Sequence, residues 1–394
     1  MPFAAALSEH PLATHAVGEV VGQVLEELGE EPDLAVLFAT APHVGALEDI
    51  VGAVRAVLRP GRLLGASAVS VLGGAREVEE TAAVSLWAAR LGDRPAPPRP
   101  VRLTVTRESE LDLEGRLLGL PDDVGDARSL LLLADPFSFP TTGVLDAVRV
   151  AHPDLQVVGG LASAARGPGG NRLVLDGTLH HDGAVGVLLD QEVAPRAVVS
   201  QGCRPIGEPF TVTRAERNVL YELGGRPALD RLMEILDGLP AEDRALAARG
   251  LFCGIVVDET KLEYERGDFL VRGVLGGDRE AGAVAVGDVV EVGATVQFQV
   301  RDAVAADEDL RAVLEGATGD AALVFTCNGR GTPMFGVPDH DAEVISDALG
   351  TAAVSGMFCA GELGPVGGRS FLHTFTASVA VFRDRPGGRP TTAR

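Results

Sequence analysis

Basic charge is scarce in this chain of 394 residues: 34 Lys and Arg stand against 56 Asp and Glu, a formal net charge of -22. Proteins held by phosphate backbones or anionic lipid need clustered cations to displace counterions, so nucleic acid and membrane surfaces are excluded as partners. Lysine is almost absent. Lys261 is the only one, and Leu262 follows it, so there is no phosphate-binding Gly-Lys-Ser/Thr loop. Aromatic residues make up only 4%, leaving few platforms on which bases could stack. The four cysteines, Cys203, Cys253, Cys327 and Cys359, lack the short spacings of zinc or redox motifs and do not suggest a disulfide framework. No apolar run is long enough to cross a bilayer, and no basic segment followed by an apolar one opens the chain. A bacterial cytoplasmic location is the default expectation.

What the chain does contain is glycine, 49 residues of it, and a hydrophobic fraction of 46% carried by small aliphatics. Its length predicts two or three domains. A strand, helix, strand and returning strand recur three times. The first copy runs through Asp33–Thr40, a helix with Leu47, Ile50, Val51, Val54, Val57 and Leu58 on one face, Arg62–Ser67 and Thr81–Ala89. The second runs through Ser129–Pro136, a helix around Val144, Leu145 and Val148, Leu155–Gly160 and Asp182–Asp190. The third runs through Ala321–Gly331, a helix around Val344, Ile345 and Leu349, Ala353–Gly356 and Thr374–Phe382. First and second strands are offset by 29, 27 and 32 residues, the length of a βαβ crossover. The first two strands of each copy should run parallel, with the last returning antiparallel.

The expected fold class is therefore α/β, with mixed parallel and antiparallel sheets built from three such pseudo-repeats and a helical and β-meander insertion. Before the first copy, residues 1–32 contain a helix with Ala16, Val17, Val20, Val21, Val24, Leu25 and Leu28 on one face and Thr14 as its N-cap. The Arg94–Pro100 segment reads as a rigid connection and Arg166–Asn171 as a loop. Arg214–Ala248 reads as helical, followed by short alternating strands, among them one with Val296, Phe298 and Val300 on one face. A domain boundary near Arg214 gives spans 33–213 and 214–383, with 384–394 a disordered tail.

Ligands of open α/β sheets bind beyond the carboxyl ends of the parallel strands. In the first two copies these ends, Thr40-Ala41-Pro42 and Asp135-Pro136-Phe137, are sparse in reactive groups. The third copy is richer. Its first strand ends in Thr326-Cys327-Asn328-Gly329-Arg330-Gly331, and its second leads to Cys359, Glu362 and His373. Three chemistries fit these residues. Cys327 with His373 and Glu362 or Asn328 has the types for a nucleophilic thiolate, a base and an orienting group, beside the bland alternative of a buried structural thiol. Arg330 and Glu362 could hold the two ends of a zwitterion, or simply pair with each other. His373, His180, His181 or a cysteine could serve as an axial haem ligand. Adjacent His180 and His181 point to opposite strand faces, which disfavours a shared metal.

Three segments in the first half of the chain, LLGASAVSVLGG, VVGGLASAARG and GAVGVLL, resemble the N-terminal part of FIST proteins. FTVTRAERNVLYELGGRPAL, ALVFTCNGRG and GMFCAGELGPVGG resemble the FIST C-terminal part, so that the likeness runs from Asp33 to Phe382. The resemblance implies a sensory module that binds a small ligand such as an amino acid, with haem as the alternative in some members. By position it carries over Cys327-Asn328-Gly329-Arg330, Gly361-Glu362-Leu363-Gly364-Pro365, Asn218 and Glu222-Leu223. The family often has Asn near the closing Thr where this chain has His373. With no output module visible, signalling would run through a separate partner protein. The expected ligand-binding residues are Cys327, Asn328, Arg330, Glu362 and His373, with Arg330 on a ligand carboxylate and Glu362 on an amine or hydroxyl.

Overall fold

The computed structural model describes residues 2–92, 97–106 and 116–384. Residues 385–394 of the expected tail and the first part of the Arg94–Pro100 connection lie outside the described residues, while Arg99 and Pro100 open a strand, Arg99–Thr106. Two compact units emerge. One comprises 1–199, 313–372 and 376–394; the other comprises 200–312 and 373–375. These units cut the chain elsewhere than the spans 33–213 and 214–383.

The first unit contains three copies of one strand pattern, in mixed α/β sheets. Leu34–Thr40 pairs parallel with Leu63–Ala68 and antiparallel with Val84–Ala89. Ala127–Ala134 stands in the same relation to Gln156–Leu161 and Ala184–Asp190. So does Ala321–Cys327 to Val354–Cys359 and Thr376–Phe382. Each returning strand also pairs on its far side with a leading strand that precedes the copy: Phe3–Ser8, Arg99–Thr106 and Arg196–Gln201 respectively.

Between the second strand and the returning strand, each copy makes a hairpin that leaves its own sheet. The first copy's hairpin, Val71–Gly73 with Arg76–Val78, extends the third copy's sheet by pairing with Val354–Cys359. The second copy's hairpin, Leu173–Leu175 with Thr178–His180, extends the first copy's sheet. The third copy's hairpin, Glu362–Val366 with Arg369–His373, extends the second copy's sheet. The exchange is cyclic, so the three copies interlock rather than sit side by side.

Strand alternation explains why the first strands read as continuous apolar runs. Leu34, Val36 and Phe38 face a central core, joined there by Leu131, Leu133, Leu323 and Phe325 from the other two sheets. Ala35, Leu37 and Ala39 face the opposite way, onto the helices Ala13–Leu28 and Leu47–Val57. A sheet buried on both faces loses the polar half of its period-2 pattern. The central core includes the one tryptophan: Trp87 is fully buried, stacks on Phe3 at 5.7 Å between ring centroids, and donates its indole N–H to the Ala353 carbonyl at 3.2 Å. The N-cap of the first helix is Leu12 rather than Thr14, because the helix already begins at Ala13.

Glycine is required where the crossover strands touch. A Cβ on Gly356 would lie 2.1 Å from the Val324 carbonyl oxygen, and one on Gly159, at φ 150°, would lie 1.9 Å from that of Leu132.

The second unit is inserted into the third copy between its leading strand and Ala321, the place that helix Ala13–Leu28 occupies in the first copy. Its strands Phe210–Glu216, Val219–Leu223, Ala283–Val286, Phe269–Asp278, Leu251–Val256 and Thr295–Arg301 pair in that order, and the last pairs back to the first. A closed antiparallel barrel results, which removes exposed sheet edges. Val296, Phe298 and Val300 fill its core together with Val212, Leu220 and Leu223. The helical expectation for Arg214–Ala248 is corrected over its first part. Residues 214–223 form a bulged hairpin, and helices occupy only Ala228–Gly238 and Ala241–Arg249. The hairpin wins because Arg217 and the Gly224-Gly225 pair adopt positive φ, which punctuates the chain as turns.

Candidate functional site

The carboxyl end of the third copy's first strand is capped by a turn, 328–331, and a short helix, Thr332–Phe335. Arg330 does not point to solvent. Its side chain is fully buried and grips Asp341 through two hydrogen bonds, Nε to Oδ2 at 2.7 Å and Nη2 to Oδ1 at 2.8 Å. Such a fork matches guanidinium to carboxylate geometry and is the strong form of the interaction. The expected alternative of an Arg330–Glu362 ion pair is thus replaced: Asp341, on the first turn of helix His340–Leu349, takes that place. Thr326 Oγ1 donates to Asp341 Oδ2 at 2.6 Å, and His340 Nδ1 lies 3.0 Å from Oδ1 while its ring stacks on Phe335. Burial by itself raises an acid, yet the Arg330 charge and these hydrogen bonds outweigh it and hold Asp341 well below the usual carboxylate range.

The first copy's hairpin closes this cluster from the other side. Glu77 Oε1 accepts from the Ala342 N–H at 3.1 Å, so a residue some 260 positions away caps the helix that carries Asp341. Glu79 Oε1 does the same for the short helix, accepting from Thr332 N at 2.9 Å and Thr332 Oγ1 at 2.7 Å. A Cβ on Gly331, at φ 71°, would press on the Glu79 carboxyl at 3.0 Å. Asp339 accepts from the Glu77 N–H at 2.6 Å. Burial, together with Asp341, Glu79 and Asp339, pushes the Glu77 carboxyl up to about 8 against a partial offset from the Ala342 N–H.

Glu362 begins the third copy's hairpin and is fully buried. Its Oε2 accepts from Thr376 N at 3.1 Å and Thr376 Oγ1 at 2.9 Å. Burial raises its carboxyl to about 8, although Thr376, the Cys327 thiol and Arg330 all pull the other way. The thiol lends only weak support, for Glu362 Oε1 has no partner of full hydrogen-bond geometry. Arg330 Nη1 is likewise buried without one, and so is Glu77 Oε2. Arg330, Cys327 and Glu362 are close enough to feel one another's charge.

Of the five expected site residues, the structure brings Cys327, Arg330 and Glu362 together. Asn328 is exposed on the turn and holds it through its backbone, donating N–H to the Cys359 carbonyl at 3.0 Å. His373 is buried, already engaged, and belongs with the barrel-containing unit. Asp341, Glu77 and Glu79 carry the cluster without having been singled out in the sequence. An acid in the first turn of a helix is an ordinary helix signal, so Asp341 was disguised as one. The two glutamates arrive through a strand exchange that no local pattern encodes. His180 and His181 sit at the end of a hairpin beside Arg102 and Asp182.

The chain belongs to the FIST family. The FIST N domain matches residues 33–226 and the FIST C domain residues 228–365, so the two halves meet inside the barrel-containing unit. FIST domains are associated with sensory and signal-transduction functions. An uncharacterized protein of Mycobacterium tuberculosis is 44% identical over 391 residues, covering 98% of this chain and all of the relative. An uncharacterized protein of Mycobacterium bovis is 44% identical over 382 residues, covering 95% of this chain and 97% of the relative. No helix among the described residues is long and apolar enough to cross a membrane.

Proposed function

We propose that this protein is a sensor that binds a small polar, amino-acid-like ligand where the third copy's strand ends meet the exchanged hairpins, and that it signals through a separate partner protein. The observation that supports the reading is the pair Arg330 Nη1 and Glu362 Oε1, each on a fully buried residue and without a partner of full hydrogen-bond geometry. Nearly all buried polar groups in native proteins are satisfied, so two buried groups left open within electrostatic reach of each other call for a missing occupant. A ligand carboxylate or carbonyl would accept from Nη1, and an amine or hydroxyl would meet Glu362. Asp341 already offsets the guanidinium charge, so the ligand is bound by directed hydrogen bonds more than by net attraction. Because both atoms are buried, the turn at 328–335 must yield for the ligand to enter.

Thermal unfolding in the presence of the twenty amino acids and their carboxamides, together with native mass spectrometry of the purified protein, tests this. At least one compound should raise the midpoint, and Glu362→Gln should diminish that rise. No shift with any compound, and no co-purifying small molecule, would defeat the reading.

A further inference from the structure

Cys327 and Cys359 end the third copy's first and second strands, and they are register partners in the parallel ladder between them. Register partners on adjacent strands present their side chains to the same face. Neighbouring strands lie about 4.8 Å apart, inside the roughly 4.4–6.8 Å Cα separation that a disulfide bridges. The shared face is the central core, where Phe325, Met357 and Cys359 lie together. Cys359 Sγ is directed at Gly160, where a Cβ would come within 2.3 Å of it. The two thiols are near enough to influence each other electrostatically.

Their surroundings differ in the way that divides labour between an attacking and a resolving thiol. Cys327 is 8% exposed and Cys359 fully buried. The Gly329 N–H donates to Cys327 Sγ at 3.4 Å, and the Arg330 guanidinium, shared with Asp341, lies close enough to favour negative charge on that sulfur, while the thiol also meets the Glu362 carboxyl. An N–H donor and a neighbouring cation are what mark a cysteine for oxidation.

We propose that Cys327 and Cys359 form a peroxide-responsive thiol pair that closes to an intrachain disulfide. Cys327 as thiolate attacks a hydroperoxide oxygen, breaking the O–O bond and leaving Cys327 sulfenic acid plus water or an alcohol. Cys359 sulfur then attacks the Cys327 sulfur and expels the hydroxyl as a second water, its own proton leaving with it. Two electrons pass from the thiols to the peroxide, and two hydrogens are lost from the protein. The bridge acts on the neighbouring turn, because Arg330 N–H donates to the Cys327 carbonyl at 2.9 Å and Gly329 N–H to its sulfur. This inference stands apart from the ligand reading, since disulfide mapping needs no ligand.

Folded wild-type protein exposed to a molar excess of hydrogen peroxide, then denatured with an alkylating agent and digested, reads the outcome directly. Two of the four thiols should be lost, in a single dithiothreitol-reversible cross-link between the Cys327 and Cys359 peptides. In Cys359→Ser the Cys327 sulfenic acid should persist and be trapped by dimedone, and Cys203→Ser should behave as wild type. Should Cys359→Ser fail to fold, the wild-type map decides alone. Four free thiols after treatment, a cross-link involving Cys203 or Cys253, or oxidation of Cys327 beyond sulfenic acid while Cys359 stays free would each overturn the proposal.

Discussion

Replacing Asp341 by asparagine keeps the side-chain volume but removes the charge that faces Arg330. The guanidinium then stays fully buried, with Nη1 already unpartnered and its two short bonds to a carboxylate lost. Breaking a buried pair from one side costs about 3–5 kcal/mol, because the surviving charge is uncompensated. The carboxylate also accepts from Thr326 and His340, which places the cost toward the upper end. A domain of this size shifts its midpoint by about 2–4 °C per kcal/mol, so Asp341→Asn should lower the midpoint of the first unit by roughly 10 °C. Trp87 provides the assay: as the one tryptophan, buried between Phe3 and Phe382, it reports the unfolding of this unit and not of the barrel. A double variant, Arg330→Met with Asp341→Leu, should recover most of the loss, since well-packed apolar pairs replace buried ion pairs without penalty. The reasoning fails if Asp341→Asn costs less than about 1 kcal/mol, the range of a solvated pair. The same geometry changes how ligand binding can be probed. Arg330→Ala should itself destabilise the fold, because it strands the buried Asp341 carboxylate.

Stability should also depend on pH through Glu362 and Glu77. Both carboxyls titrate near 8 in the folded chain and near 4.3 when unfolded, so between these values the folded state holds protons that the unfolded state has released. Stability must therefore fall as pH rises from about 4.5 to 8, by up to about 1.4 kcal/mol per pH unit for each group. Glu362→Gln should flatten part of the slope in a pH series of urea titrations, and a flat or rising wild-type profile contradicts the assignment. Gly160→Ala should destabilise by about 1–3 kcal/mol through overpacking, because its Cβ meets Cys359 Sγ at 2.3 Å; calorimetry should find the loss relieved in Gly160→Ala with Cys359→Ala. Burial pushes the Cys253 thiol up to about 12, so it should resist alkylation by iodoacetamide until the barrel unfolds, and labelling at the rate of a free thiol would refute that.

The three βαβ units were legible in the chain because each first strand, buried on both faces, becomes an unbroken apolar run, and each crossover helix keeps a clean stripe such as Leu47, Ile50, Val51 and Val54. The stretch from Arg214 was misread because NVLYEL also matches a helical stripe. Its conformation is decided by barrel pairing to Ala285 and Val284, which lie far along the chain. Cys327, Arg330 and Glu362 could be nominated from the strand-end rule alone. Their true partners could not, since Glu77 reaches Ala342 only after a hairpin has crossed from the first copy to the third.

The exchange creates three analogous junctions, and their polar groups show that they are not equivalent in use. At the first copy's strand end, Thr40 Oγ1 accepts from the Ala83 N–H at 2.8 Å and donates to the Ala83 carbonyl at 3.2 Å, closing on itself. At the second, Asp135 is fully buried, but Asn171 donates to one oxygen at 2.9 Å and Ser138 to the other at 2.6 Å. Only the third leaves donors and acceptors open. Among the described residues five buried side-chain atoms lack partners, and Arg330 Nη1, Glu362 Oε1 and Glu77 Oε2 are three of them. An unsatisfied buried group costs about 1–3 kcal/mol, so the third junction carries a polar cost that the other two do not. That asymmetry within a repeated architecture, more than any single residue, is what supports the proposed recognition at Arg330 and Glu362.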